Sequence, residues 1–317
     1  MIYPVGMQGQ IAWKRNASGW WRFVAAFVVL ALGASCAAQR AAREAPSFAP
    51  GARVVLDAHN CYPYAGKYKD RIDRALATGF PVSIEIDLAW RKDAERSRSV
   101  VSHETATRGD EPGLDEYFFE RVRPLVEKAL AEGDSSKWPI LYLHFDFKSN
   151  EREHLTYVAG ILAKYREWLT SSVRVKDESK VQPLLRKPIL AITETNEMQK
   201  RIFHDEIAVG ERFYVFGSAP GEDYVPKDVP RERQWAIMSS APPATMLATP
   251  AGNYRRWWNN SWAVVEEGGP ARAGEWTAAD AARLKALAGH AHALGYLIRF
   301  YTLNGYAEGQ GEGWGAS

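Results

Sequence analysis

The 317-residue chain is 46% hydrophobic and 25% charged, enough apolar sequence for a full core in one large α/β domain or two small ones. Its net charge is +2, and no basic stripe with interleaved aromatics stands out, which argues against a nucleic-acid partner. Twelve tryptophans, several of them in the C-terminal third, indicate either a groove for an apolar or sugar-like ligand or ordinary packing.

The first forty residues differ in composition from the rest of the chain. Lys14, Arg15 and Arg22 precede an apolar run over residues 23–34. That run is too short to span a bilayer comfortably, but it suits the core of a signal peptide. We therefore expect a signal peptide or lipoprotein signal over residues 1–36, a linker over 37–50 and the folded domain over 51–317. The predicted location is exported: periplasmic, secreted or lipid-anchored at the membrane.

The chain has two cysteines, Cys36 and Cys61. Cys36 ends a stretch that resembles a bacterial lipobox with its leucine one position too far away, so lipidation, plain cleavage and a non-cleaved anchor all stay open. If Cys36 is lipidated or removed, Cys61 has no intrachain partner and the domain depends on its core for stability. Cys61 follows His59 closely, and we interpret it as a small packing residue rather than a nucleophile.

After the linker, short β-rich runs alternate with helical stretches. Strands are predicted over residues 54–58, 82–87, 140–147, 189–193, 213–216, 235–239, 262–265 and 296–301. Helices are predicted over 69–78, 114–132, 151–169 and 278–294, the last with Thr277 as its N-cap and Gly295 at its end. Eight strands separated by helix-length segments predict a single-domain (β/α)8 TIM barrel.

Six prolines lie between residues 217 and 260 and break any long helix there. These segments are predicted to be loops that replace or shorten the later helices. The stretch Trp257-Trp258-Asn259-Asn260-Ser261-Trp262 ends this region. It is expected to form either a lid or interfacial rim over the site, or an ordinary packed loop.

Acidic side chains share one face near the ends of two predicted strands. Side chains alternate along a strand, so Glu85 and Asp87 lie on one face, and His144, Asp146 and Lys148 share a face of their own strand. Acids in a strand that is buried on both sides are costly unless they are paired or bind metal. Glu85, Asp87 and Asp146 offer hard oxygen ligands, so we predict a Mg²⁺ or Ca²⁺ site at this mouth of the barrel.

Two histidines and a lysine complete the predicted chemistry. His59 ends the first strand on the face of Asp57, and His103 follows soon after the acid pair. With a hard metal ion, these residues suit cleavage of a phosphate ester. In that reaction, two histidines on opposite sides of the phosphorus atom deprotonate the attacking oxygen and protonate the leaving oxygen. Lys148 adds a fixed positive charge against the phosphoryl oxygens.

Two further polar residues near these strand ends have alternative interpretations. Glu194 either caps the following helix or joins the metal shell. His144 is expected to lie deeper in the barrel and to be structural.

In this order and spacing the residues resemble the phospholipase C-like phosphodiesterase superfamily, which includes glycerophosphodiester phosphodiesterases, phosphatidylinositol-specific phospholipases C and sphingomyelinase D. His59-Asn60 is similar to the opening His-Asn of the phospholipases and of the altered-inheritance-of-mitochondria group, Glu85-Ile-Asp87 to the Glu-x-Asp metal pair, and His103-Glu104 to the second histidine. Asp146-Phe-Lys148 resembles the third acid and lysine, and Arg299-Phe-Tyr301-Thr-Leu-Asn304 the last-strand motif of glycerophosphodiesterases. The resemblance implies metal-dependent phosphodiester cleavage and makes Asn60 a metal ligand.

The resemblance implies superfamily chemistry but not one substrate. His59-Asn60-Cys61 replaces the His-Arg-Gly pattern of glycerophosphodiesterases, which removes an arginine expected to hold phosphate. The expected substrate is a phospholipid or a glycerophosphodiester. Arg299 and Tyr301 either contact its phosphate or head group, or pack inside the barrel.

Two rival functions stay open from the sequence. One is a hydrolase of another bond, such as a glycosidase that uses Glu85 with Asp146. The other is a surface lipoprotein that has lost catalysis and binds a phosphorylated head group through its tryptophan-rich loops.

Overall fold

The computed structural model describes residues 48–63, 69–92, 97–221, 223–269, 272 and 274–303, all of which belong to one compact unit, Ser47–Ser317. The predicted signal segment, Cys36 and Asn304 lie outside these residues. Among the helices that are described, none combines the length and the apolar character needed to cross a membrane.

Ten strands are described in chain order: β1 (Leu56–Ala58), β2 (Val82–Arg91), β3 (Arg98–Val101), β4 (Leu141–Phe147), β5 (Ser172–Val173), β6 (Ile189–Thr193), β7 (Arg212–Phe213), β8 (Val215–Ser218), β9 (Arg255–Ser261) and β10 (Leu297–Tyr301). The main sheet has the order β1-β2-β4-β6-β8-β9-β10, with every neighbouring pair parallel. Strand β3 pairs antiparallel with the far end of β2, and β5 pairs with β7 in a separate small sheet. The parallel order brings the C-terminal ends of the strands to one edge.

The parallel sheet is curled, because side chains of its first and last strands meet. In a flat sheet, six strand spacings would hold β1 and β10 roughly 29 Å apart. Instead, Arg299 on β10 donates through Nε to Asp57 Oδ2 on β1 at 2.8 Å and through Nη2 to Glu85 Oε2 on β2, also at 2.8 Å. The predicted α/β fold is therefore confirmed, with a parallel sheet curled into a half-barrel. The closed eight-stranded barrel stays a prediction, because an eighth parallel strand and backbone pairing of β10 with β1 are not found among the described residues.

Seven α-helices are described: α1 (Arg71–Ala77), α2 (Glu120–Glu132), α3 (Arg152–Lys164), α4 (Glu197–Lys200), α5 (Arg231–Ser240), α6 (Pro243–Met246) and α7 (Ala278–Ala293). Helix α7 forms because Thr277 and Asp280 make the reciprocal hydrogen bonds of a capping box over an alanine-rich segment. It ends before Gly295, whose φ of +85° favours glycine. These features place the predicted Thr277 cap and Gly295 end correctly.

The core explains why β2 can carry acids on one face. Ile84, Ile86 and Leu88 are fully buried in the larger of two apolar clusters, which fixes their face of β2 outside the curl and turns Glu85 and Asp87 inward. A second apolar cluster packs around β9, α5 and α7. Apolar burial on the outer face thus holds the acids at the inner one.

Two predicted strands are wrong. Residues 235–239 lie within helix α5, which begins directly after Pro230, and residues 262–265 are mostly the 3₁₀ turn Trp262–Val264. The tryptophan-rich stretch that was expected to be a lid or a loop lies instead in strand β9, except for Trp262, which begins the 3₁₀ turn. Its neighbouring rings point to opposite faces, since Trp257 joins the larger apolar cluster and Trp258 the second one.

Candidate active site

Three carboxylates from two neighbouring strands converge at the C-terminal edge of the sheet. Parallel pairing aligns Asp87 on β2 with Asp146 on β4, and Glu85 with His144. One carboxylate oxygen each from Glu85, Asp87 and Asp146 lies within 4.8 Å of the others, an arrangement that could hold a metal ion. The predicted alternation of faces therefore brings the three predicted ligands together.

Asp87 is fully buried, and neither of its carboxylate oxygens has a hydrogen-bond partner among the described residues. Burial raises the pKa of Asp87 to about 7, and the negative charges of Asp146 and Glu85 add to this rise while Lys148 opposes it. A buried carboxylate without donors is costly unless a cation accompanies it. The environment of Asp87 therefore favours a bound positive charge.

Lys148 supplies part of that charge. Its Nζ donates to Asp146 Oδ2 at 2.7 Å and lies 3.3 Å from Asp87 Oδ2, without the geometry of a hydrogen bond to the latter. Burial lowers the pKa of Lys148, but the hydrogen bond to Asp146 and the nearby acids outweigh it, so the pKa is raised. Lys148 is thus held protonated between two of the predicted ligands.

Glu85 is fixed by Arg299 from the other end of the sheet. The guanidinium of Arg299 also contacts Asp57 at 2.7 Å and Asn259 Oδ1 at 3.3 Å, and its side chain is only 9% exposed. Burial acts to lower the pKa of Arg299, but the negative charges of Asp57 and Glu85 outweigh burial, so the pKa is raised. These contacts place Arg299 inside the curl, in keeping with interior packing; its predicted role in substrate binding stays a prediction.

His59 and Asn60 lie against the same carboxylate. His59 Nε2 is 3.4 Å from Glu85 Oε2, and the Asn60 backbone N–H donates to that oxygen at 3.3 Å. Asn60 has a φ of +57°, a left-handed conformation that asparagine tolerates better than most residues. Arg71 holds the turn by donating to the carbonyl oxygens of His59 and Asn60. Local backbone geometry thus aims His59 at the acid cluster.

His103 stands on the loop after β3. The backbone N–H of Ser102 donates to the Asp87 carbonyl at 3.0 Å, which ties this loop to the end of β2. Within the described residues, His103 contacts Glu104 at 3.5 Å and Tyr62 at 5.6 Å between ring centroids, rather than the three acids. Its side chain is 47% exposed. The structure brings His59 to the cluster and leaves His103 on its open side.

His144, Glu194 and Asn259 form a partly buried polar network next to the three acids, of which the sequence predicted only the structural role of His144. His144 is fully buried and its Nε2 shares a 2.7 Å hydrogen bond with Glu194, which also accepts from Asn259 at 2.8 Å. Burial and Arg299 lower the pKa of His144, yet Glu194 and Glu85 outweigh them and raise it. Asn196, not Glu194, caps the next helix, so the capping interpretation of Glu194 is wrong. A strand prediction for residues 255–261 would have placed Asn259 on the inner face of the sheet, where it donates to Glu194.

Two remaining residues flank the network. The ring of Tyr301 lies 5.7 Å from the Arg299 guanidinium carbon, which leaves its predicted contact with substrate a prediction. Cys61 is fully buried, donates to the Ala58 carbonyl at 3.2 Å, and has its pKa raised to about 12 by burial. Such a thiol is protonated and unreactive, which favours a packing role.

A second group of possible metal ligands lies outside this site. Glu178, His204 and Asp205 also place ligand atoms within 4.8 Å of one another. There, Lys200 Nζ contacts Glu178 at 3.1 Å and Asp205 at 3.0 Å, and His204 bonds to Asp205 and Asn253. Internal partners therefore satisfy this second group, unlike Asp87.

Comparison of the chain with protein-family models, with curated proteins and with solved structures gave no match.

Proposed function

We propose that the protein is an exported, metal-dependent phosphoric diester hydrolase that acts on a phospholipid or a glycerophosphodiester. The observation that carries the proposal is the convergence of Glu85, Asp87 and Asp146 with Lys148 and His59, in which the buried Asp87 carboxylate lacks hydrogen bonds. Enzymes with parallel α/β barrels keep their sites at this end of the strands. We include in this proposal that the curled sheet belongs to a (β/α)8 barrel of the phospholipase C-like superfamily.

A Mg²⁺ or Ca²⁺ ion fits the residues present. Glu85, Asp87 and Asp146 would hold it, with Asn60 as a further ligand, because hard cations prefer carboxylate and amide oxygens. The unpaired oxygens of Asp87 are the feature that such an ion would satisfy. When bound, the ion polarises a phosphoryl oxygen and offsets the charge that builds up in the transition state.

The chain's own residues supply the proton transfers and the positioning. His59 is oriented against Glu85 and serves as one member of the acid/base pair, while His103 on the exposed loop serves as the other from the opposite side. Lys148, held protonated by Asp146, stabilises negative charge on the phosphoryl group. Arg299 keeps Glu85 in place.

Contacts of the two acids disfavour the glycosidase alternative. That mechanism needs one carboxylic acid that donates a proton, with the second carboxylate facing it. Glu85 accepts a hydrogen bond from Arg299 and Asp146 accepts one from Lys148, so an oxygen of each acid is already occupied by a cation. The two acids are thus better suited to hold a cation than to protonate a leaving group.

The test combines metal titration with hydrolysis assays. Calorimetry should show Mg²⁺ or Ca²⁺ binding that Asp87→Asn weakens about 100-fold, because a three-carboxylate site loses one charged ligand. Hydrolysis of bis(4-nitrophenyl) phosphate, followed by a screen of phospholipids and glycerophosphodiesters, should require the metal. Substitutions His59→Ala and His103→Ala should each lower kcat/KM about 100-fold or more.

Matched controls come from outside the site. Asp205→Asn in the second acidic group and His292→Ala on α7 should leave metal affinity and turnover unchanged. Retained turnover in both His59→Ala and His103→Ala would overturn the assignment. Full activity after removal of metal would instead favour a glycosidase-type hydrolase, and binding of phosphorylated head groups without turnover would favour the inactive lipoprotein.

A further inference from the structure

A cavity of about 280 Å³ lies beside the loops that carry His59 and His103, and the proposed chemistry does not use it. Pro63, in the segment that follows His59, forms one wall. Pro112 forms another, and its carbonyl accepts from the Val101 N–H at 2.9 Å at the base of the His103 loop. The cavity is therefore held by the same two loops as the candidate active site, and its size is near the lower end of small-molecule sites.

The lining carries one more positive than negative side chain. Lys69, Arg108 and Arg121 all border the cavity, together with the acids Asp110 and Glu111. Both carboxylate oxygens of Glu111 are occupied by the backbone N–H groups of Arg108 and Gly109, at 2.5 and 2.9 Å. The Asp110 side chain is 83% exposed and lies 3.9 Å from Arg108. Glu111 Oε1 also lies 3.9 Å from Arg108 Nε, so the two acids partly balance Arg108 but not Lys69.

Lys69 and Tyr117 are the donors without partners. Arg121 is committed to Asp73 at 2.8 Å and to the Lys69 carbonyl, whereas the Lys69 ammonium makes no ion pair within the described part of the chain. Tyr117 also lines the cavity; it is 95% buried and its hydroxyl has no hydrogen-bond partner among the described residues. The Lys69 side chain is exposed and the Tyr117 hydroxyl is buried and unpaired, so one is free to reach an anion and the other lacks an acceptor.

We propose that this cavity, lined by Lys69, Arg108, Arg121 and Tyr117, is a binding site for a small anion of the phosphate type, separate from the carboxylate cluster. Lys69 and Arg121 supply charge to the anion, and the Tyr117 hydroxyl donates to it. A cluster of carboxylates selects cations and this lining selects anions, so the two neighbouring sites take ligands of opposite charge. The site does not depend on the proposed hydrolase activity.

The test measures binding of inorganic phosphate to the full chain after metal has been removed on a chelating resin, so that no chelator anion competes. Calorimetry should give saturable binding at one site. Lys69→Met and Tyr117→Phe should each raise the Kd, the former about tenfold because one charge-assisted hydrogen bond is lost. Lys128→Met, which removes an exposed ammonium on α2 away from the cavity, should leave the Kd unchanged.

Two results would overturn the proposal: no phosphate binding at millimolar concentration, or equal weakening by Lys69→Met and Lys128→Met, which indicates non-specific charge attraction. A parallel kinetic arm separates the sources of the anion. If Lys69→Met also raises KM for a substrate that carries a second phosphate, the anion belongs to the substrate. If KM is unchanged while the phosphate Kd rises, the site takes a free anion. Loss of hydrolysis with retained phosphate binding would remove the proposed function and leave this site standing.

Discussion

The two groups of possible metal ligands both place carboxylates around a lysine, but the pKa of an aspartate shifts in opposite directions in the two. In the group of Glu85, Asp87 and Asp146, burial raises the pKa of Asp87 to about 7. In the group of Glu178, His204 and Asp205, burial also acts to raise the pKa of Asp205, but hydrogen bonds to His204 and Lys200 outweigh it, and the pKa is lowered. Each group contains a lysine, but Asp87 in the first group makes no hydrogen bond with Lys148 at 3.3 Å, whereas Asp205 in the second is hydrogen-bonded to Lys200 and His204.

The difference teaches that proximity of carboxylates does not by itself define a ligand site. What separates the groups is whether the oxygens already have donors. Asp87 has no hydrogen bond among the described residues, although Lys148 Nζ lies 3.3 Å from its Oδ2, while Asp205 has two hydrogen bonds, both with side chains close in sequence. Carboxylates with satisfied oxygens fix a fold, and carboxylates kept without donors are available to a ligand.

The largest expected effect concerns the cations that hold each group. Arg299→Met should lower the free energy of unfolding by about 3–5 kcal/mol, because it leaves Asp57 and Glu85 buried without their partner. Lys200→Met in the second group should cost about 1 kcal/mol, since its partners Glu178 and Asp205 are substantially exposed. Urea unfolding at neutral pH measures both. Equal costs would show that the Arg299 contacts are no more buried in solution than those of Lys200.

The next largest effect is the contribution of His154 to the pH dependence of the free energy of unfolding. His154 lies outside both groups, so its contribution must be known before their pH dependence is compared. Burial lowers the pKa of His154 to about 4, with its ring stacked on Trp90 and bonded to Ser99. The unfolded state binds its proton first, so this contribution is fully present above an ordinary histidine pKa and is lost as the pH falls from about 6.5 to about 4. The loss should reach about 3 kcal/mol.

The check is urea unfolding of the protein and of His154→Gln at about pH 7.5 and about pH 4. The substitution removes the titrating ring, so the difference in stability between the two chains should shrink by about 3 kcal/mol on acidification. The exposed His103→Gln provides the reference for a histidine on a loop. A constant difference across this pH range would mean that His154 is not kept neutral by burial.

The smallest expected effect has opposite signs in the two groups. In metal-free buffer at about pH 8, Asp87→Asn should stabilise the fold by about 1–2 kcal/mol, because it removes a buried carboxylate whose pKa burial raises to about 7 even with Lys148 at 3.3 Å. Asp205→Asn should destabilise it by about 1 kcal/mol, since it weakens bonds to Lys200 and His204. Denaturant midpoints with unchanged slopes would establish both signs. Destabilisation by both substitutions would erase the distinction between the groups.

Local sequence pattern was sufficient for the acid-bearing strands and for the last helix. Alternation along β2 and β4 predicted which side Glu85, Asp87 and Asp146 share, because the period of two is a property of any extended strand. It failed at β9, where two adjacent tryptophans obscured the alternation, and at α5, where a short run of apolar residues was ambiguous between helix and strand. Strand β3 was missed because it extends β2 antiparallel beyond the predicted barrel pattern.

The sequence by itself determined the residue types of the candidate site and the strand faces on which they lie, since both follow from chain-local geometry. Tertiary structure alone decided which charges meet: that Arg299 reaches back to Asp57 and Glu85 across the curl, that Glu194 bonds to His144 rather than capping a helix, and that Asp87 is left without donors. These contacts join residues far apart in the chain, and their existence depends on how strongly the sheet bends. No pattern within a single strand carries that information.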